Sequence, residues 1–424
     1  MDNLYNDIYY YIFSFLEHRD LIMLMQTSKK FYILINNLKL PNVDFYTSCE
    51  KSYYLNIKSF IKNNKVYNAN ILYYACKSGN LNIVKFVLEK VKSINYGLKG
   101  ACEGGHINIV KYIIQMGADN WNLALRAACK SGNKELIEFL LENGTGNYNI
   151  AFIDACENGN REIIELLISH GANNWNGGLY GACKGGNKDL VDFMIQRGAD
   201  DWNLGLHGAC KHGNKEIIDY MFLYGANKID GALYTACKSG NKNIIDYIIQ
   251  KGANNFNGGS LYAACKSGNR EIVEMLISYG ANTWDWGLYG ACLGGHKDLV
   301  DYMISKGARD WNWGLYGACK GGHIDIIKYM IEKGANNWNR GLYIACKRGN
   351  REIVELLISY GANDWNRGFY GACKGGFKDI VMFMIECGAN NLGVGIRAAL
   401  RYQHVQILDF LMKKSNNLRI LKIF

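Results

Sequence analysis

The sequence predicts an all-α chain assembled from many copies of one small helical unit, and three observations carry that prediction. A single proline in 424 residues leaves helices almost uninterrupted. Apolar residues make up 49 % of the chain and charged residues 20 %, with 16 Phe, 29 Tyr and 9 Trp, far more packable surface than a disordered chain carries. The cysteines recur in phase at Cys49, Cys76, Cys102, Cys129, Cys156, Cys183, Cys210, Cys237, Cys265, Cys292, Cys319, Cys346 and Cys373, nearly always 27 residues apart, and only Cys387 falls outside the series. A chain of this length exceeds what one hydrophobic core supports, so a repeat array is the expected solution.

No two cysteines have the spacing of a C-x-x-C zinc half-site. Equivalent positions on stacked helices lie ~8–10 Å apart, beyond disulfide reach, so the cysteines are expected to be small buried side chains. The 48 glycines lack a collagen-like period. Residues Met1 to Asp7 hold two acids and no basic leader, and no apolar run approaches the ~20 residues that cross a bilayer. An intracellular, soluble chain is therefore expected.

One unit shows how each element arises. Leu179, Ala182 and Cys183 stand at i, i+3 and i+4, the apolar face of a short helix that Gly185 and Gly186 end. Asn187 is placed to cap a second helix, with Asp189 in its first turn where the macrodipole favours negative charge. That helix is expected to bury Leu190, Val191, Met194 and Ile195. Gly198 follows at the position of a left-handed stop, matched by Gly171, Gly225, Gly252, Gly280, Gly307, Gly334 and Gly361. Fourteen such phases fit, from Cys49 to Leu400, over residues 44–424. A helix pair of this size cannot bury its apolar faces alone, so the pairs are expected to stack into a solenoid.

The order Leu-x-x-Ala-small-x-x-Gly-Asn/His, then Ile-Val, then Gly-Ala, resembles the ankyrin repeat, and His106, His296, His323 and His404 supply the histidine that follows its glycine. The resemblance implies a solenoid of about 14 shortened units. The ankyrin period is ~33 residues, so about six are missing from the stretch that carries the β-hairpin finger, which is expected to shrink to a loop. Leu400 in place of cysteine, with Lys413 and Lys414 beyond, predicts a polar terminal cap.

Residues 1–40 stand outside the repeat, with Pro41 at the junction. Leu4, Ile8, Ile12 and Leu16 have helical spacing, and Asp20 caps a second segment carrying Leu21 and Leu24. With Asp7, Phe13, Ser14, Lys29 and Phe31 this segment resembles an F-box, in which Tyr5 and Ser28 replace the usual Pro and Cys. The resemblance implies binding to the Skp-type adaptor of a cullin-RING ubiquitin ligase, with Leu4, Ile8, Ile12, Phe13, Leu16 and Leu21 as contacts. A helical cap sealing the first repeat is the alternative. An F-box-like head on such repeats also resembles the ankyrin-repeat families of large DNA viruses, which implies a host cytoplasm or nucleus.

Three ladders are candidate sites. Lys130, Lys184, Lys211, Lys238, Lys266, Lys320, Lys347 and Lys374 each follow a cysteine, interrupted by Glu103, Glu157 and Leu293. They fit either a basic stripe or cations complementing helix C-termini. Trp121, Trp175, Trp202, Trp284, Trp311, Trp338 and Trp365 recur in what reads as the loop after Gly-Ala, with Tyr148 and Phe256 in the same slot. They fit a structural seam or a platform for nucleic-acid bases. Six positions before each cysteine the residue varies most, as if not needed for stacking, and there Trp286, Trp313, Arg340 and Arg367 stand in successive units. Together with Lys320, Lys347 and Lys374 they form the expected partner site.

The recurring Gly-Gly-Asn-Lys segment never completes a phosphate-binding loop, and the eight histidines lack matching carboxylates or a nucleophile. No catalytic centre, metal or cofactor is expected. The expected function is that of a monomeric, non-enzymatic adapter that grips a protein with its repeats and recruits a ligase with its head. A plain scaffold and a nucleic-acid binder, permitted by the net charge of +10 although nucleic acid is not the expected partner, are the alternatives.

Overall fold

The computed structural model describes residues 69–421 apart from 90–93, 144–146 and 403. The Cys49 phase and the whole head, with Leu4, Ile8, Ile12, Phe13, Leu16 and Leu21, lie outside the described residues. Those residues form 26 helices and no strand, paired in order. The pairs are α1 (Ala69–Lys77) with α2 (Leu81–Leu88), α3 (Ile94–Glu103) with α4 (Ile107–Gln115), α5 (Trp121–Ser131) with α6 (Lys134–Glu142), and α7 (Tyr148–Asn158) with α8 (Arg161–Ser169). Next come α9 (Trp175–Gly185) with α10 (Lys188–Gln196), α11 (Trp202–His212) with α12 (Lys215–Leu223), and α13 (Ile229–Ser239) with α14 (Lys242–Gln250). Then follow α15 (Gly259–Ser267) with α16 (Arg270–Ser278), α17 (Trp284–Gly294) with α18 (Lys297–Lys306), and α19 (Trp311–Gly321) with α20 (Ile324–Glu332). The last are α21 (Trp338–Arg348) with α22 (Arg351–Ser359), α23 (Trp365–Gly375) with α24 (Lys378–Glu386), and α25 (Leu392–Arg401) with α26 (Val405–Leu421). The chain divides into two units, one ending at Gly208 and one beginning at Ala209. Within each, successive pairs stack as a solenoid.

The pair α9/α10 shows the local logic. The Asn174 side chain accepts from the Gly177 N–H at 3.0 Å, so the helix begins at Trp175. Gly186, at φ +76, ends it. Asn187 then accepts from the Leu190 N–H at 3.0 Å and starts α10, which stops before Gly198 at φ +101. Leu179, Ala182, Cys183, Val191 and Met194 are fully buried and Leu190 nearly so, whereas Ile195 lies at the edge and is half-buried, short of its expected burial. The first helix of the pair is also the longer, at 11 residues against 9. Its Asn cap draws the tryptophan slot, expected in a loop, into the first turn.

First helices meet backbone to backbone. A Cβ on Gly181 would lie 2.5 Å from the Ile153 carbonyl oxygen, and one on Gly290 2.5 Å from that of Tyr262. Only a residue without a side chain permits that approach. The in-phase cysteines of the described residues are fully or almost fully buried, and burial pushes the thiols of Cys183 and Cys210 up to about 12. Cys387, out of phase, is half-buried.

The loops between pairs hold no β-hairpin among the described residues. Side chains from the preceding pair organise them instead. Asn176 Oδ1 accepts from the backbone N–H groups of Asp200 and Asp201 at 2.8 and 2.9 Å, while its Nδ2 donates to Asp200 Oδ1 at 3.0 Å. Asn312, Asn339 and Asn366 hold the following loops in the same way. Where the second helix begins after His rather than Asn, the ring reaches back: His296 Nε2 lies 3.2 Å from the Lys266 carbonyl and His404 Nε2 3.2 Å from that of Lys374.

Two irregularities have local causes. The 28-residue step from Cys237 to Cys265 places Gly258 at φ +54, and α15 accordingly starts late, at Gly259. The terminal pair corrects the expectation of a polar cap: Leu400 is 64 % exposed and Val405 72 %. A cysteine phase is buried by the pair that follows it, and in the described residues no further pair covers Leu400.

Candidate protein-interaction face

On each first helix three positions share one face, six before the cysteine, three before it and one after it, because they stand at i, i+3 and i+7 of a 3.6-residue period. The middle position is tyrosine in an unbroken run, Tyr234, Tyr262, Tyr289, Tyr316, Tyr343 and Tyr370. The run is not among the three ladders above, although its fixed offset from cysteine marks it in the sequence. In the unit beginning at Ala209 these rings stack along the array. Tyr262 and Tyr289 lie 5.4 Å apart with planes at 14°, Tyr289 and Tyr316 6.1 Å apart at 16°, and Tyr343 and Tyr370 6.2 Å apart at 12°. Burial raises the phenol pKa values of Tyr262 and Tyr343.

The variable position is seated over the tyrosine of the preceding pair. Trp313 stacks on Tyr289 at 4.8 Å, the Arg340 guanidinium lies 4.5 Å from the Tyr316 centroid and 4.8 Å from that of Trp313, and Arg367 lies 5.8 Å from Tyr343. Trp286 meets Tyr262 edge-on at 6.4 Å and is 47 % exposed. The position, expected not to be needed for stacking of the repeats, thus makes ring contacts of its own where it holds tryptophan or arginine. In these four units tryptophan and arginine interchange because both offer a flat, polarisable group to a ring.

The lysines complete the face. Lys320 Nζ donates to the Tyr289 hydroxyl at 3.2 Å, and Lys374 stands 5.0 Å from the Tyr402 ring, where its hydrogen bond lowers that phenol's pKa. Lys347 is half-buried in the last turn of α21. The structure thus gathers Trp286, Trp313, Arg340, Arg367, Lys320, Lys347 and Lys374 on one face of α17 to α23.

Charge is distributed differently in the unit ending at Gly208. There Glu103 pairs with Lys77 at 4.0 Å and Lys99 at 3.7 Å and accepts from the Tyr73 hydroxyl, Arg126 pairs with Asp154 at 2.7 Å, and Glu157 pairs with Lys184. The two glutamates that interrupt the lysine series thus neutralise the cations around them. From α15 to α23 the five first helices carry seven Lys and Arg and one acid, Asp285, whose carboxylate accepts from the Arg309 and Asp310 backbone N–H groups at 2.7 and 2.8 Å. None of the seven cations has a carboxylate at salt-bridge distance among the described residues. The second helices of the same unit carry paired charges, such as Lys297 with Asp301 at 2.7 Å and Arg351 with Glu355 at 2.6 Å. Asp219 pairs with Lys251 of the following pair at 2.6 Å.

The tryptophans in the first turns are half-buried. Trp175 meets Phe152 edge-on at 5.8 Å with Arg197 above it at 5.7 Å, and the Trp284 ring lies beside Gly307, where the second helix of its own pair stops. Among the described residues no cluster of three or more His, Cys, Asp or Glu suits a metal ion, and no helix is long and apolar enough to cross a membrane.

Comparison with known proteins agrees with this geometry. A family model for ankyrin repeats (3 copies) matches residues 124–204, 206–285 and 288–368, and one for ankyrin repeats (many copies) matches residues 98–141. The F-box domain model matches residues 1–42. Among solved structures, the human ASB11 ankyrin repeat domain aligns at 25 % identity over 37 % of this chain and 84 % of its own, with a TM-score of 0.28. A circular tandem repeat protein with novel repeat topology aligns at 13 % identity over 95 % of each chain, with a TM-score of 0.11. The search of curated proteins gave no match. With more than half its length matched by the repeat model, the chain belongs to the ankyrin-repeat family and carries an F-box domain at its amino terminus.

Proposed function

We propose that the chain is a non-enzymatic adapter, in which residues 44–424 hold a protein through the face of the first helices and residues 1–40 dock on the Skp-type adaptor of a cullin-RING ubiquitin ligase. The observation that carries this reading is the F-box match over residues 1–42 in the same chain as an ankyrin array. Supporting it, the face of α17 to α23 exposes tryptophan and arginine, the residue types that dominate protein interfaces. The likeness to the ankyrin-repeat families of large DNA viruses leads us to propose that the ligase is a host cell's and that the chain works in the cytoplasm or nucleus.

The test mixes the purified full chain, and a variant carrying Ile8→Asp and Ile12→Asp, with a purified Skp-type adaptor and follows co-elution by size-exclusion chromatography. Co-elution of the native chain, lost in the variant, is the expected result. Failure of the native chain to retain the adaptor overturns the ligase role and makes the chain a plain scaffold with a capping head.

A further inference from the structure

We infer that the first-helix face from α15 to α23 binds an acidic, extended segment of a partner protein, with Arg340 and Arg367 as its central carboxylate contacts. This deepens the proposed adapter role by naming the chemistry of the segment that the repeats hold.

Four observations converge. The five first helices carry seven cations and one acid, and the carboxylate of that acid, Asp285, is taken up by backbone N–H groups. In the other unit Lys77, Lys99, Arg126 and Lys184 on first helices are answered by Glu103, Asp154 and Glu157, so the array has the means to neutralise this face and leaves it unused from α15 to α23. Arg340 is held over Trp313 and Tyr316. A planar guanidinium fixed on aromatic rings loses little further freedom on binding, and its fork matches a carboxylate.

The fourth observation separates a polypeptide from a nucleic acid. Base recognition on such a surface needs open ring faces. The Tyr289 ring is stacked by Tyr262, Trp313 and Tyr316, and Tyr316 is covered by Trp313 and Arg340. Apart from the exposed Trp286 indole, what remains for a ligand along α19 to α23 is chiefly a row of N–H donors and hydroxyls, which suits carboxylates carried on a flexible chain. Stacked pairs recur every ~8–10 Å, and an extended chain rises ~3.3 Å per residue, so an acid at about every third residue keeps step with the repeats.

The experiment uses the full chain and a fluorescently labelled peptide of about twelve residues, with glutamate at every third position and serine between, sized by the rise above. Fluorescence polarisation is compared for this peptide, its glutamine counterpart and an oligothymidylate of similar length. The expected result is saturable binding of the glutamate peptide, weakened roughly ten-fold or more by Arg340→Gln with Arg367→Gln and only partly restored by lysine at both positions. Arg161→Gln, on a second helix and already paired with Glu165, leaves binding unchanged. Circular dichroism confirms that each variant folds. Equal binding of the glutamine peptide, tighter binding of the oligothymidylate, or indifference to the arginine substitutions overturns the proposal. Peptide binding without adaptor binding defeats the ligase role alone, and adaptor binding without peptide binding defeats this proposal alone.

Discussion

Gly290 stands where a methyl group would come within 2.5 Å of the Tyr262 carbonyl oxygen, and nothing flexible lies there to yield. Gly290→Ala should therefore force α15 and α17 apart and lower stability by about 1–3 kcal/mol, read from the urea midpoint of the unit beginning at Ala209. Cys292→Ser at a fully buried position should cost a similar ~1–3 kcal/mol, because a hydroxyl there loses water without gaining a built partner. Burial raises the Cys387 thiol too, but only there among the described cysteines is the sulfur's residue partly exposed, so a maleimide should modify Cys387 in the native chain, with fully buried Cys183 and Cys210 reacting only on unfolding, as peptide mapping would show. The cysteine phase was legible because a small apolar residue at a fixed interval has few explanations. The tyrosine run was hidden among 29 tyrosines, and its role depends on ring-to-ring distances that no single helix contains.

At the scale of elements, helix stops were readable from glycine and the starts of second helices from asparagine, while the starts of first helices were not. Asn174, two residues after Ala172, reads as loop composition until its side chain is seen to accept from Gly177. The same blindness covered Asn339, whose oxygen accepts from the Asn363 and Asp364 N–H groups at 2.8 and 2.9 Å. Asn339→Ala should leave both donors to solvent and cost about 1–2 kcal/mol, with faster amide exchange at Asn363 and Asp364 as the local readout. Ion pairs between second helices add a pH dependence. Burial raises the Asp219 pKa, but hydrogen bonds from Lys251 and Tyr247 outweigh it, so the folded carboxyl sits below its ordinary value. A depressed carboxyl contributes stability above the unfolded pKa of about 4 and loses it as pH falls through the folded value. Asp219→Asn should thus flatten the fall of the thermal midpoint below about pH 4 relative to the native chain.

For the molecule as a whole, the two units carry different reporters: three of the nine tryptophans precede Gly208 and six follow it. Stability in stacked arrays is a sum of local and nearest-neighbour contributions. Urea unfolding followed by tryptophan fluorescence should therefore report chiefly the second unit, and Gly290→Ala should shift the fluorescence midpoint more than the far-ultraviolet dichroism midpoint. The repeat architecture was legible at this scale because the pattern is written many times over. The segregation of charge was not, since the lysines look alike in sequence and differ in whether a glutamate of a neighbouring pair reaches them.

The asparagines that grip the loops also give the array a grammar of growth. Each of these loops takes backbone hydrogen bonds from an asparagine of the pair upstream, so much of the information for one joint lies in the pair before it. A module copied or excised as a whole keeps every asparagine opposite the loop it serves, whatever the neighbouring copy contains. A cut at any other phase leaves one loop without its mould, so whole pairs are the units in which such an array can be lengthened or shortened.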